Sequence, residues 1–167
     1  MARSEEAGPV FTIGYEDATP PGLIAALRDQ GVATVVDVRA LANSRRPGFA
    51  KRALGAALAE AGIGYLHVPA LGTPAEGRAA VREGRPAEMR RIFAARLAGV
   101  EAQAALAALS AQARRERICL LCLEADPMHC HRTLVAEAVG LPVHHLDPRH
   151  LSAGTPAPPC SAAPGGS

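Results

Sequence analysis

Residues 118–123 read ICLLCL, six apolar side chains in succession without a polar break. A strand with one face in water alternates apolar and polar residues, so an unbroken run points to a strand covered on both faces, as in parallel sheets. ATVVDV at 33–38 has the same unalternating, β-branched character, and shorter strand-like runs occur at 10–14, 64–68 and 143–146. Between them lie helical signals. Thr19-Pro20-Pro21 is a cap residue followed by proline in the first turn, and the stripe Leu23, Ile24, Leu27 runs on to Gly31. Leu54 and Leu58 mark a helix over 53–61; Met89, Ile92 and Phe93 mark another over 87–97; two more are expected over 100–113 and 133–139. Residues 70–86 carry Gly, Pro and charges without a period and are expected to form a loop. Strands alternating with helices predict a single α/β domain, with a mainly parallel central sheet of about five strands flanked by helices.

That domain is expected over 10–151, after an N-terminal extension (1–9) and before a flexible Pro/Ala/Gly/Ser tail (152–167). The 167 residues suffice for one packed core, and with only five aromatic residues that core must come from Ala, Leu, Val and Ile. A net charge of +2 identifies no partner, and because seventeen of the eighteen basic residues are Arg, arginine alone does not signal phosphate binding. The start, MARSEEAGPV, has no apolar run of the signal-peptide kind, and no stretch approaches eighteen apolar residues. The expectation is a cytoplasmic chain without a membrane partner, whose four cysteines are reduced thiols rather than a disulfide framework.

In parallel α/β sheets ligands bind beyond the carboxyl ends of the strands. Four predicted strands deliver polar groups there: Tyr15 and Glu16, Asp37 and Arg39, His67, then Cys122 and Glu124. The segment CLEADPMHCHR at 122–132 is the densest of these. Cys119 and Cys122 form a C-x-x-C, but three residues along a strand reverse the face, whereas redox pairs open a helix and zinc pairs sit on turns. Cys119 is therefore expected in the core, away from Cys122. Cys122 and Glu124 share a face. Asp126-Pro127 makes the turn, and Cys130-His131-Arg132 leads into the next helix, where unpaired N–H groups and the dipole favour a thiolate or an anion. Cys130 is thus expected to be the more acidic and faster-reacting thiol, and Cys122, buried beside Glu124, the less acidic one. The plain alternative is a packed Cys130 with solvated His131 and Arg132. Zinc is the one cofactor these ligand types would suit, through Cys122, Cys130 and His131 with His129 or His67 as fourth ligand. The C-x7-C-H spacing lacks the usual short pair, so no metal is assigned.

DVRALANSRRPGFAKR at 37–52 holds Arg39, Arg45, Arg46, Lys51 and Arg52 with no acid after Asp37, which suits a loop wrapping an anion as well as a solvated charged loop. Together with TIGY at 12–15, GIGYLHVPALG at 62–72 and the C-x-E…C-H-R element, this segment resembles the bacterial family known as domain of unknown function 488. The resemblance runs from Val10 to Leu146 and matches at Gly14, Tyr15, Asp37, Arg39, Ser44, Arg45, Phe49, His67, Leu71, Gly72, Cys122, Glu124, Cys130, His131 and Arg132. Ala42 stands where the family tends to have proline, and Thr73 where it tends to have a second glycine. The resemblance implies a fold but no activity. A looser likeness to rhodanese-like domains rests on an Asp-Val-Arg strand end and a cysteine before a helix N-terminus.

The function expected from the residues is an enzyme acting on a small anionic substrate, phosphate-bearing or sulfur-containing, or a nucleotide. Cys122 or Cys130 is the nucleophile, Glu124 or His131 the acid or base, and Asp37 completes the catalytic group. Tyr15, Arg39, Ser44, Arg45, Lys51, His67 and Arg132 would bind the substrate. A nucleic-acid or base-processing protein, with phosphates on the 39–52 loop and a base in the crevice, is the alternative; a non-catalytic binding module is the third.

Overall fold

The computed structural model describes residues 7–149, so most of the expected N-terminal extension, the tail and Cys160 lie outside the described residues. Five strands form one sheet: β1 (Val10–Gly14), β2 (Thr34–Asp37), β3 (Gly64–His67), β4 (Ile118–Cys122) and β5 (Val143–Leu146). Every pairing is parallel, in the order β3-β2-β4-β1-β5. The unalternating runs explain the order. β1 and β4 are buried at all five positions and occupy the interior of the sheet, while the half-polar GYLH and VHHL strands take the two edges.

Helices cover both faces. α1 (Pro20–Asp29) and α2 (Lys51–Glu60) pack Leu23, Leu27, Leu54 and Leu58 against one side with Phe11, Ile13, Val35, Cys119 and Leu121. On the other side α4 (Pro86–Leu97), α5 (Val100–Ala113) and α6 (His131–Val139) pack Met89, Phe93, Leu109, Val135 and Val139 against Val36, Ile118, Leu120 and Cys122. β4 thus divides by parity: Cys119 lies in one core layer and Cys122 in the other. Cys119→Ala is expected to cost roughly 1–2 kcal/mol of stability, through a small cavity, without altering the chemistry of the other thiols. Urea unfolding together with Cys122 alkylation kinetics checks this, and a changed alkylation rate in a folded variant would contradict the separation of the layers.

The segment 70–86 is not the loop expected from its sequence. It holds a 3-10 turn at Pro69–Leu71 and a helix, α3 (Ala75–Arg82). The fully buried face of α3 consists of Gly77 and Ala80, too small to register as an apolar stripe. A Cβ at Gly77 would lie 2.4 Å from Cγ2 of Thr73, so glycine is what allows this close approach. The signals that were legible there are terminal: Pro74 ahead of the first turn, Glu76 within it and Arg82 in the last. No single helix among the described residues is long and apolar enough to cross a membrane.

Candidate active site

The carboxyl ends of β1, β2 and β4 adjoin, with Gly14 opposite Cys122 and Asp37 opposite Leu121. Beyond its last residue β1 stays tied to the β4 strand end, Tyr15 N–H donating to Cys122 O at 3.2 Å and Glu16 N–H to Leu123 O at 2.8 Å. The chain leaving β4 crosses so close that a Cβ on Gly14 would fall 1.9 Å from the Glu124 carbonyl oxygen. A second close approach, a Gly72 Cβ at 2.4 Å from Ala40 Cα, brings the turn after β3 against the loop after β2. Between these loops and α3 lies a cavity of about 280 Å³, into which Cys122, Glu124, His131, Tyr15, Arg39, Arg78 and Arg82 all face.

Cys122 and His131 line this cavity, and Cys130 is in contact with His131. Cys130 is the N-cap residue of α6, with extended backbone and no side-chain capping bond, and His131 is the first helical residue. The His131 ring is buried, tilted against Phe93 at 5.0 Å between centroids, and its Nε2 lies 2.7 Å from the Val38 carbonyl. A carbonyl only accepts, so Nε2 carries the proton in both charge states and Nδ1 is left for the sulfurs. Nδ1 is 3.8 Å from Cys122 Sγ and 4.0 Å from Cys130 Sγ.

Burial opposes a charge on Cys130, but hydrogen bonds from Cys122 and His131, with the charges of His131 and Arg132, outweigh it and lower its thiol pKa. Burial likewise opposes the imidazolium, and the hydrogen bond and charge of Cys130 raise His131 above the ordinary histidine value. Each shift favours the charged form of its group, through the approach of the Cys130 sulfur to His131 Nδ1. Cys122 is pushed up, first by its hydrogen bond to Cys130, then by burial and by the charges of Cys130 and Glu124. Glu124 is raised to about 7, by burial first and then by the charge and hydrogen bond of Cys130. The order of acidity follows the helix position, while access runs the other way: Cys122 lines the cavity and Cys130 does not.

The metal-ligating atoms of Cys122, Cys130 and His131 lie within 4.8 Å of one another, close enough for three ligands, but neither His67 nor His129 joins them. A closed structural zinc site needs a fourth protein ligand. His67 instead bonds the Arg39 carbonyl at 2.7 Å, fixing the loop after β2, and exposed His129 faces Asp126 at 3.5 Å.

Other residues expected at the site have structural work. Asp37 is wholly buried and pairs with Arg39, accepting from its Nε at 2.9 Å and its Nη2 at 2.7 Å, and it also accepts from the Tyr65 hydroxyl. It does not line the cavity. Arg39 reaches on to the Tyr15 hydroxyl at 3.1 Å and the Phe49 carbonyl at 2.8 Å, beside the stacked Tyr15–Phe49 pair. Arg132 has no exposed surface: it donates to Thr12 Oγ1, Glu124 O and Ala125 O, clamping the 124–125 turn instead of facing a substrate. Ser44 Oγ accepts from Arg46 N–H at 3.1 Å, and Arg46 holds the Tyr15, Glu16 and Ala18 carbonyls. Arg45 and Lys51 are exposed and outside the cavity. An arginine side chain is long enough to turn onto backbone carbonyls of neighbouring segments, which residue type alone does not reveal. Sequence reading also missed Arg78 and Arg82, because their helix was not seen.

The model of a family described as "Domain of unknown function DUF488" matches residues 21–139 of this chain. No curated protein and no solved structure matches it significantly.

Proposed function

This chain belongs to the DUF488 family, and we propose that it is a thiol-dependent enzyme, a transferase or hydrolase acting on a small anionic substrate in the cavity at the sheet's carboxyl edge. The observation that carries this reading is a histidine, fixed by a backbone carbonyl, whose second ring nitrogen faces two buried sulfurs, one of which opens on the cavity. Cys122 is the nucleophile. Its proton passes to the Cys130–His131 pair as the sulfur bonds to the electrophilic centre. Glu124, poised near neutrality, gives a proton to the leaving group and can take one back from water or a second acceptor. Reduced thiols suit the cytoplasmic location that belongs to the same proposal. The inward-turned Arg39 and Arg46 take two of the five cations of the 39–52 loop away from a nucleic-acid backbone, leaving Arg45, Lys51 and Arg52 exposed.

Timed alkylation with iodoacetamide at neutral pH, mapped by peptide mass, tests the reading. Cys122 is expected to label well ahead of Cys119, and His131→Ala to slow that labelling by roughly 10²-fold as the Cys130–His131 pair that takes the proton is broken. Equal, slow labelling of Cys119, Cys122 and Cys130 would mean that no thiol is activated and would end the thiol-enzyme reading.

A further inference from the structure

With Arg132 and Arg39 held by internal partners and Arg45 and Lys51 turned to solvent, the anion-binding duty expected of them has no owner among those four. Helix α3 supplies one. Arg78 and Arg82 stand one turn apart on α3 and so share a helix face, and both line the cavity that Cys122 lines. Arg78 is half-buried, one end of its guanidinium fixed by donation to the Thr73 carbonyl at 2.8 Å. Arg82 is exposed. Neither enters an ion pair among the described residues, and the adjacent acids Glu83 and Glu88 are both taken by Arg85. Glu124 is the one carboxyl on the cavity wall, so the wall carries an excess of positive charge. The rest of the lining is apolar and partly open: Leu41 is 58 % exposed and Leu123 42 %, with Val81 between the two arginines in sequence. Exposed leucines at a cavity mouth suit the body of a ligand, and a volume of about 280 Å³ limits its size.

We propose that Arg78 and Arg82 form an anion clamp that seats the terminal carboxylate or phosphate of a small amphipathic substrate, its apolar body against Leu41, Leu123 and Val81 and its reactive centre over Cys122. Guanidinium pairs suit such groups because their planar forks meet two oxygens at once. The proposal rests on the thiol-enzyme reading and adds to it the substrate class and the residues that select it.

Two alkylating agents of nearly equal size test it, neutral iodoacetamide and anionic iodoacetate. At Cys122 the iodoacetate-to-iodoacetamide rate ratio is expected to exceed that of a small free thiol by about tenfold or more, and to saturate with reagent. Arg82→Gln, at an exposed position, and Arg78→Lys, which keeps a charge but loses the fork, should each lower the ratio. The double variant Arg78→Gln/Arg82→Gln should return it to the free-thiol value. Inorganic phosphate and acetate are then added as competitors. Protection by phosphate alone assigns a phosphate head group, protection by acetate alone a carboxylate, and protection by neither overturns the clamp. A free-thiol ratio in the native protein, with Cys122 still labelled fast by iodoacetamide, overturns the clamp and leaves the thiol-enzyme reading standing. If neither reagent labels Cys122, both fall. Circular dichroism of each variant separates lost binding from lost fold.

Discussion

Asp37→Ala is expected to lower the unfolding free energy by roughly 3–5 kcal/mol, a large part of the total for a domain of this size. The carboxylate is wholly buried and accepts from the Arg39 backbone, from Arg39 Nε and Nη2, and from Tyr65. Removing it strands a guanidinium that is 5 % exposed and leaves the Tyr65 hydroxyl without its acceptor. The damage comes from the unpaired charge, so Asp37→Ala combined with Arg39→Met should be less harmful than Asp37→Ala alone. Urea unfolding of the three variants measures this. A loss below about 1 kcal/mol for Asp37→Ala would mean that the pair does not hold the β2 strand end. The same experiment separates structure from chemistry at Asp37: a folded Asp37→Asn protein should still alkylate at Cys122, because the carboxylate does not line the cavity.

What the sequence revealed and what it hid follow one physical division. Backbone periodicity and strand parity are local, and they placed β4, the opposite faces of Cys119 and Cys122, and Cys130 at the start of α6. Reactive groups at strand ends then gathered at one edge because parallel strands all point the same way. The destinations of long side chains are not local. Arg46 and Arg132 each cross to carbonyls on other segments, and nothing in their neighbours distinguishes them from Arg78 and Arg82, which line the cavity. Helix α3 was hidden for a related reason. Its buried face is made of glycine and alanine, so contact there depends on backbone closeness instead of apolar bulk.

Glu124→Gln is expected to make the protein more stable and less active, and the pH dependence of the gain identifies the cause. The folded-state pKa of about 7 stands above the ordinary 4.5, so between these values the native protein keeps a proton that the unfolded chain has released. Stability contributed by this group therefore falls as pH rises from 4.5 to 7, by at most about 3 kcal/mol, because water at the cavity mouth screens part of the effect. Glutamine carries no proton through that window. The variant should match the parent near pH 4 and exceed it by up to about 3 kcal/mol at pH 8, as read from urea unfolding at both pH values. The thiols should respond in the opposite sense to turnover. The Glu124 carboxylate adds to the hydrogen bond and burial that hold Cys122 up, so its removal should speed alkylation at pH 8 while leaving the rate at pH 5 unchanged. Turnover of a substrate that needs a protonated leaving group should nevertheless drop by roughly 10²–10⁴, since an amide cannot exchange the proton. A group kept only for folding would not oppose stability in this way; a carboxyl held against its own desolvation is spent on chemistry. Unfolding curves for the two proteins that run parallel from pH 4 to pH 8 would make Glu124 an ordinary carboxylate and remove it from the mechanism.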